Sequence, residues 1–189
     1  MIFNVMLILV ALVVIVLLAF RSRVDVPSVV SGKVIHVYDG DTFLLRLNWI
    51  QRIRVRIAGI DAPEHNQAFG DVSGAYLTTL IEGARVTISV KAKDDYGRFV
   101  ALVSCDERDV GYEMVSSGLA WSYSAYWRTV GAEKASQYRK AQNRAYSERI
   151  GLWVDSEPMA PWVFREKQRT LWSRFLFSFR RWLRKLFLQ

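Results

Sequence analysis

Three carboxylates and an arginine crowd one stretch of this chain. Asp41 closes Asp39-Gly40-Asp41-Thr42, and Arg56, Asp61 and Glu64 follow within Arg56-Ile57-Ala58-Gly59-Ile60-Asp61-Ala62-Pro63-Glu64. A second arginine, Arg98, ends the run Asp94-Asp95-Tyr96-Gly97-Arg98. Carboxylate and carbonyl oxygens are the ligands hard cations prefer. Phosphodiester cleavage needs a metal, a base to direct water and a cationic clamp on the phosphate, and this segment holds residue types for all three. Zinc fits poorly, because the chain has 1 cysteine and 2 histidines and no Cys/His cluster. Arginine suits the clamp, since it keeps its charge at any working pH and grips two phosphate oxygens at once. Asp39 reads as a turn residue, and Arg52 and Arg54 as solvated strand residues.

These side chains need rigid supports, and the pattern supplies them. Lys33 to Tyr38 alternates as a strand, Asp39-Gly40 turns the chain, and Thr42 to Leu47 returns. Arg52 to Ala58 alternates in strict period two, which puts Arg52, Arg54 and Arg56 on one face and Ile53, Val55 and Ile57 in the core. The spacing predicts a helix over Gly70 to Glu82, capped by Asp71 or Ser73 and closed by Gly83. Arg85 to Val90 and Arg98 to Ser104 read as strands. Asp109 caps a short predicted helix ending at Gly118, and Ala132 to Ile150 forms a longer one with Tyr138, Ala141, Ala145 and Arg149 on one face. Five short strands with a helix after the third imply a mainly β fold with α, a small closed five-stranded barrel of the oligonucleotide-binding (OB-fold) type with flanking helices. Cys105, alone at the end of an apolar run, reads as buried, and His36 as a strand surface residue.

The ordered set Asp39-Gly40-Asp41-Thr42, Arg56 through Glu64, Asp95-Tyr96-Gly97-Arg98, Gly118-Leu119-Ala120 and Gly151-Leu152-Trp153 resembles the staphylococcal-nuclease-like, or thermonuclease, family over roughly Gly32 to Trp162. The resemblance implies a calcium-dependent nuclease leaving 3′-phosphate ends on DNA, with RNA a second substrate class. It implies that Asp41, Asp61 and the main-chain carbonyl of Ala62 hold Ca2+. Relatives often carry threonine where Ala62 stands, but a carbonyl ligand tolerates the change. Glu64 would orient or deprotonate the attacking water. Arg56 and Arg98 would clamp the phosphate, with Arg98 at the leaving 5′-oxygen. Tyr96 would contact the phosphate, and Tyr123 and Tyr126 could stack on a base. Asp95 stands where a basic residue is common, which would weaken the grip on substrate.

The two ends of the chain differ from its middle. Hydrophobic residues make up 51% of the sequence and the mean hydropathy is +0.09, with much of that excess near the termini. Ile2 to Phe20 is apolar except for Asn4. As a helix of roughly 1.5 Å per residue it would nearly match a bilayer's hydrocarbon thickness, so residues 1–23 are predicted to be an uncleaved transmembrane anchor. A linker over 24–31, the barrel domain over 32–161 and a basic tail over 162–189 follow. The net charge of +8 belongs to the ends: Trp162 to Gln189 holds 8 basic residues and 1 acid, while Val24 to Pro161 is nearly balanced. Basicity therefore gives the barrel little claim on nucleic acid. In the tail, Trp172, Phe175, Leu176, Phe179, Trp182, Leu183, Leu186 and Phe187 recur at intervals of three and four, opposite Arg174, Arg180, Arg181, Arg184 and Lys185. That pattern suits an amphipathic helix lying in a membrane surface; a helix packed on the domain with a solvated basic face, or one binding nucleic acid, are the alternatives. Arg21 and Arg23 after the span favour a cytoplasmic domain, whereas a calcium requirement favours an extracytoplasmic one. The competing reading is a catalytically inactive OB-fold nucleic-acid-binding or adaptor module tethered to a membrane.

Overall fold

The computed structural model describes Met6 and residues 26–123 and 127–170. Apart from Met6, the predicted span over Ile2 to Phe20 lies outside the described residues, as do Tyr126 and the amphipathic segment beyond residue 170. Among the described residues no helix is long and apolar enough to cross a membrane.

The described residues hold eight strands: β1 (Val29–Val37), β2 (Thr42–Arg46), β3 (Arg52–Ile57), β4 (Ile60–Asp61), β5 (Arg85–Lys93), β6 (Phe99–Cys105), β7 (Arg108–Asp109) and β8 (Trp121–Ser122). The main sheet runs β3-β2-β1-β5-β6-β7, and β3 also pairs with β6 to close a five-stranded barrel. That closing pair is parallel, with Val55 opposite Phe99 and Arg56 opposite Val100. Closure removes the exposed edges a small open sheet would present. β1 begins at Val29, ahead of the predicted strand start at Lys33, because Val29, Val30 and Ser31 find partners in Ser89, Ile88 and Thr87 of β5. A register shift between Val34 and His36 bends β1 where it pairs with β2.

The helices are α1 (Gly70–Ile81), α2 (Val110–Ser116), α3 (Trp127–Val130) and α4 (Ala132–Ser147), followed by α5 over 161–170. Inward residues of the strands, Val34, Phe43, Leu45, Val55, Ile57, Val86 and Ile88, form one core with Leu77 and Ile81 of α1, Met114 of α2 and Tyr138 of α4. Burying each such side chain contributes roughly 1.5–3 kcal/mol. Cys105 is buried and His36 exposed, as expected.

Two helix ends differ from expectation. Neither Asp71 nor Ser73 caps α1; the N-cap is Phe69 in a left-handed conformation, φ 65°, without a side-chain cap. Ser73 is buried and donates instead to the Leu119 carbonyl at 2.7 Å, while Asp71 pairs with His65 at 2.9 Å. α4 stops at Ser147, and Arg149 lies beyond it at φ 53°, so it does not share the buried face of Tyr138, Ala141 and Ala145. Asp109 caps α2 as predicted, accepting from the Tyr112 N–H at 3.1 Å.

Candidate active site

The β1–β2 hairpin fixes the first carboxylate. Asp39 Oδ1 accepts the Asp41 N–H at 2.9 Å, an Asx-type turn, and the Asp41 carbonyl accepts the Ile57 N–H at 2.8 Å. Asp41 is thereby anchored to the end of β3, next to Thr42, which pairs directly with Arg56. Gly40 lies against α1: a Cβ there would collide with Ser73 Oγ and press on Ala62 Cβ at 2.7 Å. The turn therefore needs glycine for clearance.

From β3 the chain turns through Gly59 into β4, where Asp61 pairs with Trp121 of β8. Asp61 is fully buried and Arg56 only 7% exposed. The Arg56 guanidinium spans the two aspartates, donating from Nη1 to Asp41 Oδ1 at 2.8 Å and from Nη2 to Asp61 Oδ1 at 2.5 Å. Period-two alternation puts Arg56 on the same face as Arg52 and Arg54. Those two are exposed, but Arg56 ends where the barrel closes and turns into the site. Asp41 also accepts from Thr42 Oγ1 at 2.8 Å and from the Ala62 N–H at 3.1 Å. Glu64 sits on the turn after Pro63, its N–H donating to Gln67 Oε1 at 3.2 Å.

The β5–β6 hairpin brings Arg98. Its backbone N–H donates to Asp94 Oδ1 at 2.8 Å, its Nε to Asp94 Oδ2 at 2.7 Å and its Nη1 to Thr42 Oγ1 at 3.3 Å. Thr42 thus links Arg98 to Asp41, and Tyr96 lies beside the Arg98 guanidinium at 5.4 Å. Asp41, Arg56, Ala62, Glu64, Tyr96, Arg98 and Tyr123 line one cleft of about 370 Å3, with Asp39, Arg54, Pro63 and Arg165. Of the residues anticipated from the sequence, Asp61 lies buried below it, and Tyr126 is outside the described residues.

Charge in the cleft is tightly coupled. Burial and the neighbouring Asp41 carboxylate push Asp39 up to about 7. Burial also raises Asp61; Asp41 adds to the rise, while Arg165 and Arg56 oppose it. Burial pushes Asp94 up, but the hydrogen bonds from Arg98 outweigh it and leave Asp94 below the ordinary carboxylate value.

Two participants escape a reading of the sequence. Thr42 was visible within the Asp-Gly-Asp-Thr motif, but its bridging hydroxyl was not. Arg165, on α5, belongs in the sequence to the basic tail. Its Nη1 donates to Glu64 Oε1 at 2.6 Å and its Nη2 to Asp61 Oδ2 at 2.8 Å. Burial works to lower the Arg165 guanidinium, yet these bonds hold it above its ordinary value.

Among the described residues, no three His, Cys, Asp or Glu side chains converge closely enough to cage a metal ion by themselves. A cation here would be shared between carboxylate, main-chain and water oxygens. The site fits that kind of occupant: its acidic donors are all oxygen, and it already accommodates a positive group, the Arg165 guanidinium, against Asp61 and Glu64.

The sequence profile of the family described as Staphylococcal nuclease homologue matches residues 54–155. A Haemophilus influenzae protein named an uncharacterized endonuclease is 36% identical over 137 residues, covering 72% of this chain and 74% of its own length. A Shigella flexneri protein named micrococcal nuclease is 35% identical over 147 residues, 73% of this chain and 82% of that protein. Staphylococcal-like nuclease CAN1 of Arabidopsis thaliana is 34% identical over 119 residues, 63% of this chain but only 35% of the plant protein.

Proposed function

The chain belongs to the staphylococcal-nuclease-like family, and from that premise we propose that it is a calcium-dependent nuclease cutting DNA, with RNA as a second substrate class. The observation carrying this reading is the convergence of Asp41, Arg56, Glu64 and Arg98 on one cleft. The nuclease names of the relatives support it.

In this reading Asp41, Asp61 and the Ala62 carbonyl hold the ion. When bound, Ca2+ supplies positive charge to the phosphate and steadies the water beside it. Glu64, at the rim of the cleft, takes a proton from that water as its oxygen bonds to phosphorus. The P–O5′ bond breaks on the opposite side, leaving a 3′-phosphate and, after protonation of the departing oxygen, a 5′-hydroxyl. Charge gathers on the phosphoryl oxygens during this displacement. Arg56 and Arg98 are held by carboxylate and hydroxyl partners before substrate arrives, so little reorganisation is needed as it develops. Tyr96 and Tyr123 flank the cleft as contacts for the nucleotide.

A membrane tether completes the reading, supported by the apolar run Ile2 to Phe20 and the basic amphipathic pattern after residue 170. The test is hydrolysis of end-labelled single-stranded DNA by the full chain in detergent micelles, with calcium or with a chelator. Calcium-dependent fragments ending in 3′-phosphate are expected. Cleavage undiminished by the chelator, or fragments ending in 3′-hydroxyl, would contradict it.

A further inference from the structure

The Arg165 guanidinium lies where the proposed ion would have to engage Asp61. Its contact is two-pronged, Nη2 to Asp61 Oδ2 at 2.8 Å and Nη1 to Asp61 Oδ1 at 3.2 Å, with Nη1 also on Glu64 Oε1 at 2.6 Å. Bidentate charge-assisted bonds of this kind are strong and geometrically selective. With Arg56 on one side and Arg165 on the other, Asp61 is wholly shielded from solvent. Glu64, the proposed base, is engaged by the same guanidinium.

Arg165 reaches this position because α5 docks beside the cleft. Trp162 stacks on Tyr123 at 5.1 Å and meets Trp121 edge-on at 5.5 Å. Phe164 joins Phe69, Trp121 and Leu152 in lining a neighbouring apolar cavity of about 290 Å3. Upstream, Gln67 Nε2 donates to the Met159 carbonyl at 2.6 Å, tying the chain before α5 to the Glu64 turn. The helix therefore covers Tyr123, a proposed nucleotide contact, while its arginine takes the place of the cation. A bound ion and this guanidinium compete for Asp61, whose Oδ1 Arg56 already occupies as well, and their like charges repel.

We propose that α5 is an autoinhibitory latch: Arg165 is an internal cation that competes with the divalent ion for Asp61 and Glu64, and the helix must leave before the nuclease can act. The inference rests on the calcium-nuclease reading above. A protein whose binding-competent state is only partly populated shows an affinity weakened in proportion, so removing the latch tightens cation binding.

The experiment is calcium titration by calorimetry on the full chain in detergent micelles, comparing the natural protein with Arg165→Gln and with Trp162→Ala. The second variant loosens docking without touching a carboxylate, and so serves if the first fails to fold. Both are expected to bind calcium at least about tenfold more tightly. In the natural protein, hydrogen exchange of the 161–170 amides is expected to quicken on adding calcium. If calcium binds and DNA is cut but neither variant binds more tightly and exchange is unmoved, the latch is overturned and the nuclease reading stands. If neither the natural protein nor the variants bind calcium, both fall.

Discussion

Replacing Arg56 with methionine keeps most of its aliphatic stem and removes the guanidinium that joins Asp41 to Asp61. Both carboxylates are almost wholly buried, and Asp61 is already pushed up by burial and by Asp41. Removing one partner of a buried ion pair costs about 3–5 kcal/mol. Arg165 still reaches Asp61, so the lower end is expected. For a chain of this size 1 kcal/mol corresponds to about 2–4 °C in Tm, so 3 kcal/mol is roughly 6–12 °C. The assay is calorimetric melting of the full chain in detergent micelles at pH 7 with a chelator present. Two further signs follow from the same geometry. The deficit should shrink as pH falls, because burial and Asp41 raise Asp61 and its protonation removes the repulsion that Arg56 had offset. With calcium it should shrink further only as far as the variant binds the ion more tightly than the natural protein, because each gains about 2.7 kcal/mol at about 100 times its own Kd. A deficit under about 1 kcal/mol, indifferent to pH and calcium, would refute the argument that Arg56 neutralises a buried carboxylate pair.

The Arg98→Lys variant keeps the charge but cannot reproduce the bonds to Asp94 and Thr42 together; DNA cleavage at saturating calcium should drop at least about tenfold, and a loss under about threefold would mean the role is misassigned. Gly40→Ala forces a methyl into Ser73 and Ala62, so chemical denaturation should show a loss of about 1–3 kcal/mol together with weaker calcium binding. Asp94 lies below its unfolded value, so its contribution to stability is present above that value and disappears as pH falls through the lower, folded one. Asp94→Asn should therefore flatten the natural protein's loss of stability below about pH 4, measured by urea midpoints, and an unchanged slope would contradict the pairing.

Local pattern carried much of the fold. Strict alternation located β3, Asp39-Gly40 located the hairpin, and Asp109 marked the start of α2. It also singled out Asp41, Arg56, Glu64 and Arg98, each at the end of a strand or on the turn beyond one, whereas Ala62 came only from the family resemblance; barrel closure gathers these positions at one cleft. What stayed hidden depends on distant parts of the chain. Ser73 looked like a cap but serves the Leu119 carbonyl, 46 positions away. Arg56 shares an alternating face with the exposed Arg52 and Arg54, and its burial comes where β3 pairs in parallel with β6. Arg165 lies 104 positions from Asp61, and in the sequence it is one of 8 basic residues in the tail. No local periodicity distinguishes it from the others; only docking of Trp162 on Trp121 and Tyr123 does.

Glu64→Gln offers the most direct trial of the central claim, since the amide matches the carboxylate in size but cannot accept the water's proton. With single-turnover cleavage of DNA at saturating calcium and calorimetric calcium binding measured side by side, the account predicts cleavage reduced roughly 10²–10⁴-fold while the ion still binds. Cleavage within about threefold of the natural protein would contradict it.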